Sequence, residues 1–337
     1  MIDMVTRIVP PEKEWLALAR EYLAAGEVVA FHTETVYGLG ADARNNEAVA
    51  RIFALKGRPA DNPLIVHVHK DYHISSLIDW EPPYAAALRR AFLPGPLTMV
   101  YPSRGKVSAL VSCGLDTLAI RVPSSPCAQA FLSAVDIPIA APSANLSKHV
   151  SPVKAEHVFA DFERKIPLIL DGGACSGGIE STVLDCTGEI PQILRAGLVT
   201  REMIAKVAGD CGVYRMKDGE KPKSPGMAYK HYSPRTKTAY FRRDSLSEAL
   251  ACYEAEEVAG GKPYFLCETA LLGALAGKNV LALGETAEEM ARNLYALLRR
   301  GEEIATLLIG IEPKERGGVM EGVLNRFMRA FGGGYET

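Results

Sequence analysis

The sequence predicts a two-domain α/β protein: a sheet-rich N-terminal domain, then a smaller parallel, Rossmann-like α/β domain. Three observations predict it. The chain has 337 residues, more than one compact core usually accommodates. Short apolar runs of strand length, bounded by turn residues, recur between Val28 and Leu194. Beyond residue 238 strand-like runs alternate with helical periodicity, the pattern of a parallel sheet with crossover helices.

Each element follows from local pattern. Pro10-Pro11, the apolar stripe Trp15, Leu16, Leu18, Ala19, Tyr22, Leu23 and then Gly26 read as a helix with a proline start and a glycine stop. Val28 to Phe31 is a buried strand running into HTETVYGLG, read as a hydroxyl- and glycine-rich loop. Asn46 to Leu55 and residues 84–93 are helical, and FLPGPLTMVYP ends the second helix and enters a strand. Leu64–His69, Leu118–Val122, Ile137–Ala141, Leu168–Leu170, Ser181–Asp185 and Gln192–Leu194 complete the first set of strands. Residues 211–237 are polar, carry proline and glycine and lack apolar periodicity, so they read as a linker. The predicted domains are therefore 1–210 and 238–337. In the second, Thr238–Phe241, Tyr264–Cys267, Asn279–Leu283 and Thr306–Ile309 are strand-like. Met290, Leu294, Leu297 and Leu298 share one face of a helix over Ala287–Arg300.

Composition narrows the function. Hydrophobic residues make up 48% and charged residues 23%, ordinary for a globular protein. A formal net charge of -2 argues against a whole-protein field for nucleic acid, though not against a local basic patch. No early apolar run is long enough to span a membrane, and the expectation is a cytoplasmic protein. Seven scattered cysteines without a CxxC pair read as reduced thiols, and no protein-ligated metal is expected. His67 and His69 alternate along one predicted strand face, but no third ligand of suitable spacing accompanies them, so hydrogen bonding is the better reading. There is no GxGxxG after a strand, no GxxxxGK[ST], no GxSxG and no HExxH.

Four polar segments beside strand ends carry residues that a core has no use for. Thr33–Gly40 presents alternating hydroxyls, which suit a small polar ligand or an ordinary glycine turn. Lys56-Gly57-Arg58 places two cations about a glycine. They match phosphate oxygens, and they equally match a solvated helix C-terminus. Arg121 lies inside an apolar strand and needs a carboxylate, from the protein or from a ligand. Ser143, Asn145, Ser147 and Ser151 supply neutral donors and acceptors for a nucleotide, or for a cap. Such a site, with cations, hydroxyls and no nucleophile–base pair, suits chemistry done by positioning and electrostatics. Nucleotidyl transfer to a carboxylate is of that kind.

Taken in order, TETVYGLG, KGRPADNPLIVHV, PGPLT, AIRVP, APSAN, GGIESTV and ILRAG resemble the threonylcarbamoyl-AMP synthase (YrdC-like) family. SPGMAYKHYSP and GVLNRFMRAF resemble its two-domain long form. The resemblance implies a twisted mixed sheet in the N-terminal domain. It also implies synthesis of threonylcarbamoyl-AMP and pyrophosphate from L-threonine, bicarbonate and ATP, for threonylcarbamoyl modification of adenosine in tRNA. Mg2+ would come with the ATP, and partner proteins would complete the tRNA step. Direct tRNA contact is left open. By this resemblance Thr35, His67, Arg121 and Ser181 hold L-threonine, with Arg121 on its carboxylate. Lys56 and Arg58 are the catalytic cations and also bind ATP, together with Asn62, Thr117, Ser143, Asn145, Ser151 and Arg195. His231 and Tyr232 in the linker fold over the nucleotide as a lid. The sequence departs from the family at His32 and Ala196, where proline is frequent, and at Lys148, where glycine is usual. The alternatives are a carbamoyltransferase of the same domain type and a non-enzymatic RNA-binding module. The first is disfavoured by the missing CxxC zinc motifs and extra domains, the second by the net charge.

Overall fold

The computed structural model describes residues 4–215 and 232–332. These divide into two units: residues 4–147 with 152–215, and residues 148–151 with 232–332. His231 lies outside the described residues.

In chain order the strands of the first unit are β1 (Arg7–Val9), β2 (Val29–Phe31), β3 (Gly38–Asp42), β4 (Ile65–His67), β5 (Leu97–Pro102), β6 (Thr117–Arg121), β7 (Ile139–Ala141), β8 (Leu168–Leu170), β9 (Thr182–Asp185), β10 (Gln192–Arg195) and β11 (Gly212–Val213). Its helices are α1 (Lys13–Ala24), α2 (Asn46–Lys56), α3 (Pro83–Phe92), α4 (Ala109–Ser112), α5 (Pro126–Val135), α6 (Ala155–Phe162) and α7 (Arg201–Ala208). The strands form one mixed sheet in the order β1-β8-β2-β3-β7-β4-β6-β5-β9-β10-β11. β4 runs parallel to β6 and β5 parallel to β9, whereas β5 and β6 are antiparallel. The mixed sheet agrees with the expectation drawn from the resemblance.

One core lies between α1, α5 and the sheet, where Leu23, Phe31, Phe131, Leu132 and Leu170 are fully or almost fully buried. α2 illustrates how sequence sets an element's ends. Asn45 caps it by accepting from the amides of Glu47 and Ala48, and Gly57 ends it with φ +62. The amide of Arg58 then reaches back to the carbonyl of Phe53, 3.0 Å away.

The second unit contains β12 (Lys237–Phe241), β13 (Pro263–Cys267), β14 (Val280–Ala282) and β15 (Leu307–Ile311), all parallel, in the order β12-β15-β13-β14. α8 (Leu246–Val258), α9 (Ala287–Ile304) and α10 (Val319–Phe331) complete it. This is the small parallel α/β domain that the alternation predicts. Residues 148–151 belong to it: His149 Nε2 lies 2.8 Å from Glu302 Oε1, and Arg299 Nε donates to the Val150 carbonyl at 3.1 Å. Lys148 has φ +71, the left-handed region that glycine adopts without strain, which accounts for glycine being usual there.

Two local expectations are corrected, and a third residue is placed. Residues 38–40, read as loop, open β3, which pairs antiparallel with β2 to make a hairpin. Both glycines there are needed. A Cβ on Gly40 would stand 2.7 Å from Ile139 Cγ2, and one on Gly38 would stand 3.0 Å from the Phe31 ring. β4 ends at His67, so His69 does not share its face. His69 Nε2 instead pairs with Asp136 Oδ1 at 2.9 Å. Tyr232, expected in a lid, has its ring stacked on Tyr295 within the second unit, centroids 5.3 Å apart.

Candidate active site

Side chains alternate along a strand, and this builds the site. Ile65, Val100, Ala119, Val183 and Leu194 form an apolar cluster on one face of the first sheet. Two residues further along the same strands, that face carries His67, Thr98 and Arg121. The register places His67 beside Arg121 and Thr98 beside Arg121 across the two ladders. Ser181 joins them, its Oγ 2.8 Å from Thr98 Oγ1.

Arg121 is only 4% exposed. Its Nη2 donates to Glu34 Oε1 at 2.7 Å, and the other carboxylate oxygen accepts from the Ser124 amide at 3.1 Å. The protein therefore supplies the carboxylate that a buried arginine requires. It does not use the whole guanidinium, since Arg121 Nε is buried without a hydrogen-bond partner. Glu34 is positioned by backbone: the Gly177 amide donates to its carbonyl at 2.7 Å. Beside it Thr33 Oγ1 lies 3.0 Å from Thr35 Oγ1, and both threonines are buried.

His67 is neutral. Burial, and then the neighbouring Arg121 charge, push its pKa from the ordinary 6.5 down to about 3. Its Nδ1 lies 3.1 Å from the Ile65 carbonyl, which can only accept, so Nδ1 carries the proton. Arg195 anchors the other edge, donating through Nε and Nη2 to the Ser181 carbonyl at 3.1 and 2.9 Å and through Nη2 to Ser181 Oγ at 3.2 Å. Gly197 permits this approach, because a Cβ there would meet the Thr182 amide nitrogen at 2.5 Å.

A second group surrounds the end of α2. Lys56 is 3% exposed, and its ammonium donates to the carbonyls of Ser143, at 2.6 Å, and Asn145. Ser143 Oγ donates to Asn145 Oδ1 at 2.5 Å, and the Ser147 amide donates to the Lys56 carbonyl at 2.8 Å. The lysine thus ties the end of α2 to the loop after β7. Arg58 turns onto its own loop, Nε donating to Asn62 O at 3.0 Å and Nη2 to Pro63 O at 2.8 Å. Asn62 is 1% exposed, and neither its Oδ1 nor its Nδ2 has a hydrogen-bond partner. A buried amide with both ends unpaired costs free energy unless a ligand completes it. Thr117 opens β6, about 13 Å along the strand from Arg121 at the usual rise per residue.

Lys56, Ser143 and Asn145 thus form one group, and His67, Arg121, Ser181 and Arg195 another with Thr35 nearby. Ser151 and Tyr232 belong to the second unit. Sequence reasoning missed Glu34 and Thr98. Glu34 stands between the two threonines of TET, and its acidity beside a predicted buried strand was the available signal.

A family model described as telomere recombination matches residues 21–197. One described as threonylcarbamoyl-AMP synthase, C-terminal domain, matches residues 199–332. The threonylcarbamoyl-AMP synthase of Bacillus subtilis is 41% identical over 94% of this chain and 93% of its own length. That of Pyrococcus abyssi is 39% identical over 95% of each chain. The chain belongs to the threonylcarbamoyl-AMP synthase family. A solved structure of P. abyssi Sua5 complexed with L-threonine superposes with a TM-score of 0.87 at 36% identity, covering 97% of each chain. That likeness extends over both units of this family member.

Proposed function

We propose that this chain is an L-threonylcarbamoyladenylate synthase. It consumes L-threonine, bicarbonate and ATP and releases threonylcarbamoyl-AMP, pyrophosphate and water. The observation that carries the reading is Arg121, a buried guanidinium with one nitrogen on Glu34 and its Nε unpartnered, among the hydroxyls of Thr35, Thr98 and Ser181. Membership of the family supports it.

In this reading the carboxylate of L-threonine takes Arg121, and Thr35, His67 and Ser181 hold the rest of the amino acid. Neutral His67 adds a hydrogen-bonding ring without a competing charge. Lys56, Arg58, Asn62, Thr117, Ser143, Asn145 and Arg195 surround ATP. Lys56 and Arg58 offset charge on the phosphate oxygens as the pentavalent centre forms. The threonine amine first condenses with bicarbonate to a carbamate, releasing water. A carbamate oxygen then attacks the α-phosphorus and pyrophosphate departs. Magnesium enters as part of the substrate, on the phosphates of ATP. The product serves partner proteins that transfer the threonylcarbamoyl group to adenosine of tRNA, in the cytoplasm. No described helix is long and apolar enough to cross a membrane.

The test is pyrophosphate release from ATP, with L-threonine and bicarbonate omitted in turn, and mass spectrometry of the adenylate. Release that is indifferent to both omissions overturns the reading.

A further inference from the structure

One buried ring beside the site has no part in the proposed reaction. His32 follows β2 and opens the segment that carries Thr33, Glu34 and Thr35. It is 7% exposed, and its Nε2 has no hydrogen-bond partner. Its Nδ1 lies 2.6 Å from Ser125 Oγ, a contact that spans 93 residues of chain. Ser125 Oγ also accepts from the Ala128 amide at 3.3 Å, as the N-cap of α5. With that role taken, the hydroxyl proton goes to Nδ1, and the imidazole keeps its own proton on Nε2. Burial lowers the pKa of His32, so the ring is neutral.

The ring has a fitted seat. A Cβ on Gly172 would stand 2.6 Å from His32 Cγ, so that position has room only for glycine. The Tyr37 ring meets the imidazole edge-on, centroids 5.2 Å apart. Tyr37 is itself held through its hydroxyl, which donates to Asp171 Oδ1 at 2.8 Å and to the Gly173 carbonyl at 2.7 Å.

His32 and Ser125 form the second of two adjacent rungs between the same pair of segments. In the first, the Glu34 carboxylate accepts from the Ser124 amide at 3.1 Å and from Arg121 Nη2 at 2.7 Å. A segment held at one point can pivot about it, and a second point of attachment two residues away removes that freedom. The geometry points to His32 as a positioning residue for the L-threonine site. Its bond to Ser125 fixes residues 33–35 against the end of β6, so that Glu34 takes Arg121 by one nitrogen and leaves Nε for the substrate carboxylate. The identity of that substrate rests on the proposed function.

Calorimetric titration of the full chain with L-threonine, and separately with ATP, tests it. His32→Leu should weaken L-threonine about tenfold and ATP less than about twofold, as loss of one buried hydrogen bond on the amino-acid side predicts. Asparagine places a side-chain amide where Nδ1 lies, so His32→Asn keeps the bond to Ser125 and should stay within about twofold of wild type for both ligands. Ser125→Ala should also weaken L-threonine about tenfold, and the double variant His32→Leu/Ser125→Ala no further, because both changes remove one bond. In steady-state pyrophosphate release His32→Leu should raise KM for L-threonine and leave kcat unchanged. Thermal melting confirms that each variant is folded. Unaltered L-threonine binding in His32→Leu, equal weakening of both ligands, failure of asparagine to rescue, or additive losses in the double variant overturns the proposal. A wild-type chain that binds no L-threonine overturns the substrate reading instead, and His32 is then read from hydrogen exchange. The Ser124 amide should exchange about tenfold faster in His32→Leu than in the wild type or His32→Asn. Equal exchange rates overturn the positioning role.

Discussion

The two sheets of this chain use their buried positions differently. On the first, His67, Thr98, Arg121 and Thr182 lie within strands at 4% exposure or less. Ser181 immediately precedes β9, Lys56 ends α2, and Glu34 and Asn62 lie in loops. On the second, the most buried strand residues are apolar, Phe265, Leu266, Cys267, Leu308 and Ile309. Its buried carboxylate, Glu268, comes just past β13 and is paired with Arg243. Polar burial opposes folding unless each group is partnered. The first unit leaves Arg121 Nε and both ends of the Asn62 amide unpartnered, as the proposed ligand site requires. The second unit carries local stabilising devices such as the capping box at Thr286 and Glu289 on α9.

The largest effect is expected at Arg121. Arg121→Ala strands the Glu34 carboxylate in the interior, and the unfolding free energy should fall by about 3–5 kcal/mol. In calorimetry of the remaining folded protein, L-threonine affinity should drop at least about 100-fold, about 2.7 kcal/mol, while ATP affinity changes far less. Equal loss for both ligands contradicts the assignment. The contribution of His67 is read through pH. Its folded pKa of about 3 lies below the unfolded 6.5, so unfolding takes up a proton whenever the pH is between these values. Stability from this group is full above pH 6.5 and is lost as pH falls towards 3. Denaturant unfolding should show about 2 kcal/mol of loss between pH 7 and pH 5 attributable to His67, a dependence that His67→Asn removes.

Asn62 sharpens the comparison in the opposite direction. Replacing an unpartnered amide by a side chain of similar size, Asn62→Leu, should raise stability of the unliganded protein by about 1 kcal/mol. The same variant should weaken ATP binding about tenfold. A destabilised variant would show that the amide serves the fold. The smallest effect belongs to the second unit. Thr286→Ala removes one half of the α9 capping box and should cost about 1 kcal/mol in the unfolding of that unit. Pyrophosphate release should stay at its wild-type rate. A change in that rate would show that the second unit takes part in the reaction.

The strands were legible wherever apolar runs stood alone, as at Leu168–Leu170 and Tyr264–Cys267, because a run of that length has few other uses. β3 was hidden because GLG looks like a turn. Its glycines are instead demanded by the Phe31 ring across the hairpin and by Ile139, which no local window contains. The Lys56-Gly57-Arg58 segment had two readings, helix end and phosphate site. The structure shows the first directly: Gly57 caps α2 in the left-handed conformation. It also shows Lys56 buried against the Ser143 and Asn145 carbonyls, so the lysine also organises the neighbouring loop.

Local sequence alone determined most element types, the division into a sheet-rich domain and a smaller parallel one, and the short list of polar residues worth explaining. Their order along the chain determined the family. Tertiary structure decided which of those residues meet. That Arg121 takes Glu34 depends on segments 87 residues apart along the chain, and that Lys56 holds Asn145 on a separation of 89. Such pairings are set by sheet register and by the cost of leaving a buried charge unpaired, and neither is written in any local stretch of the chain.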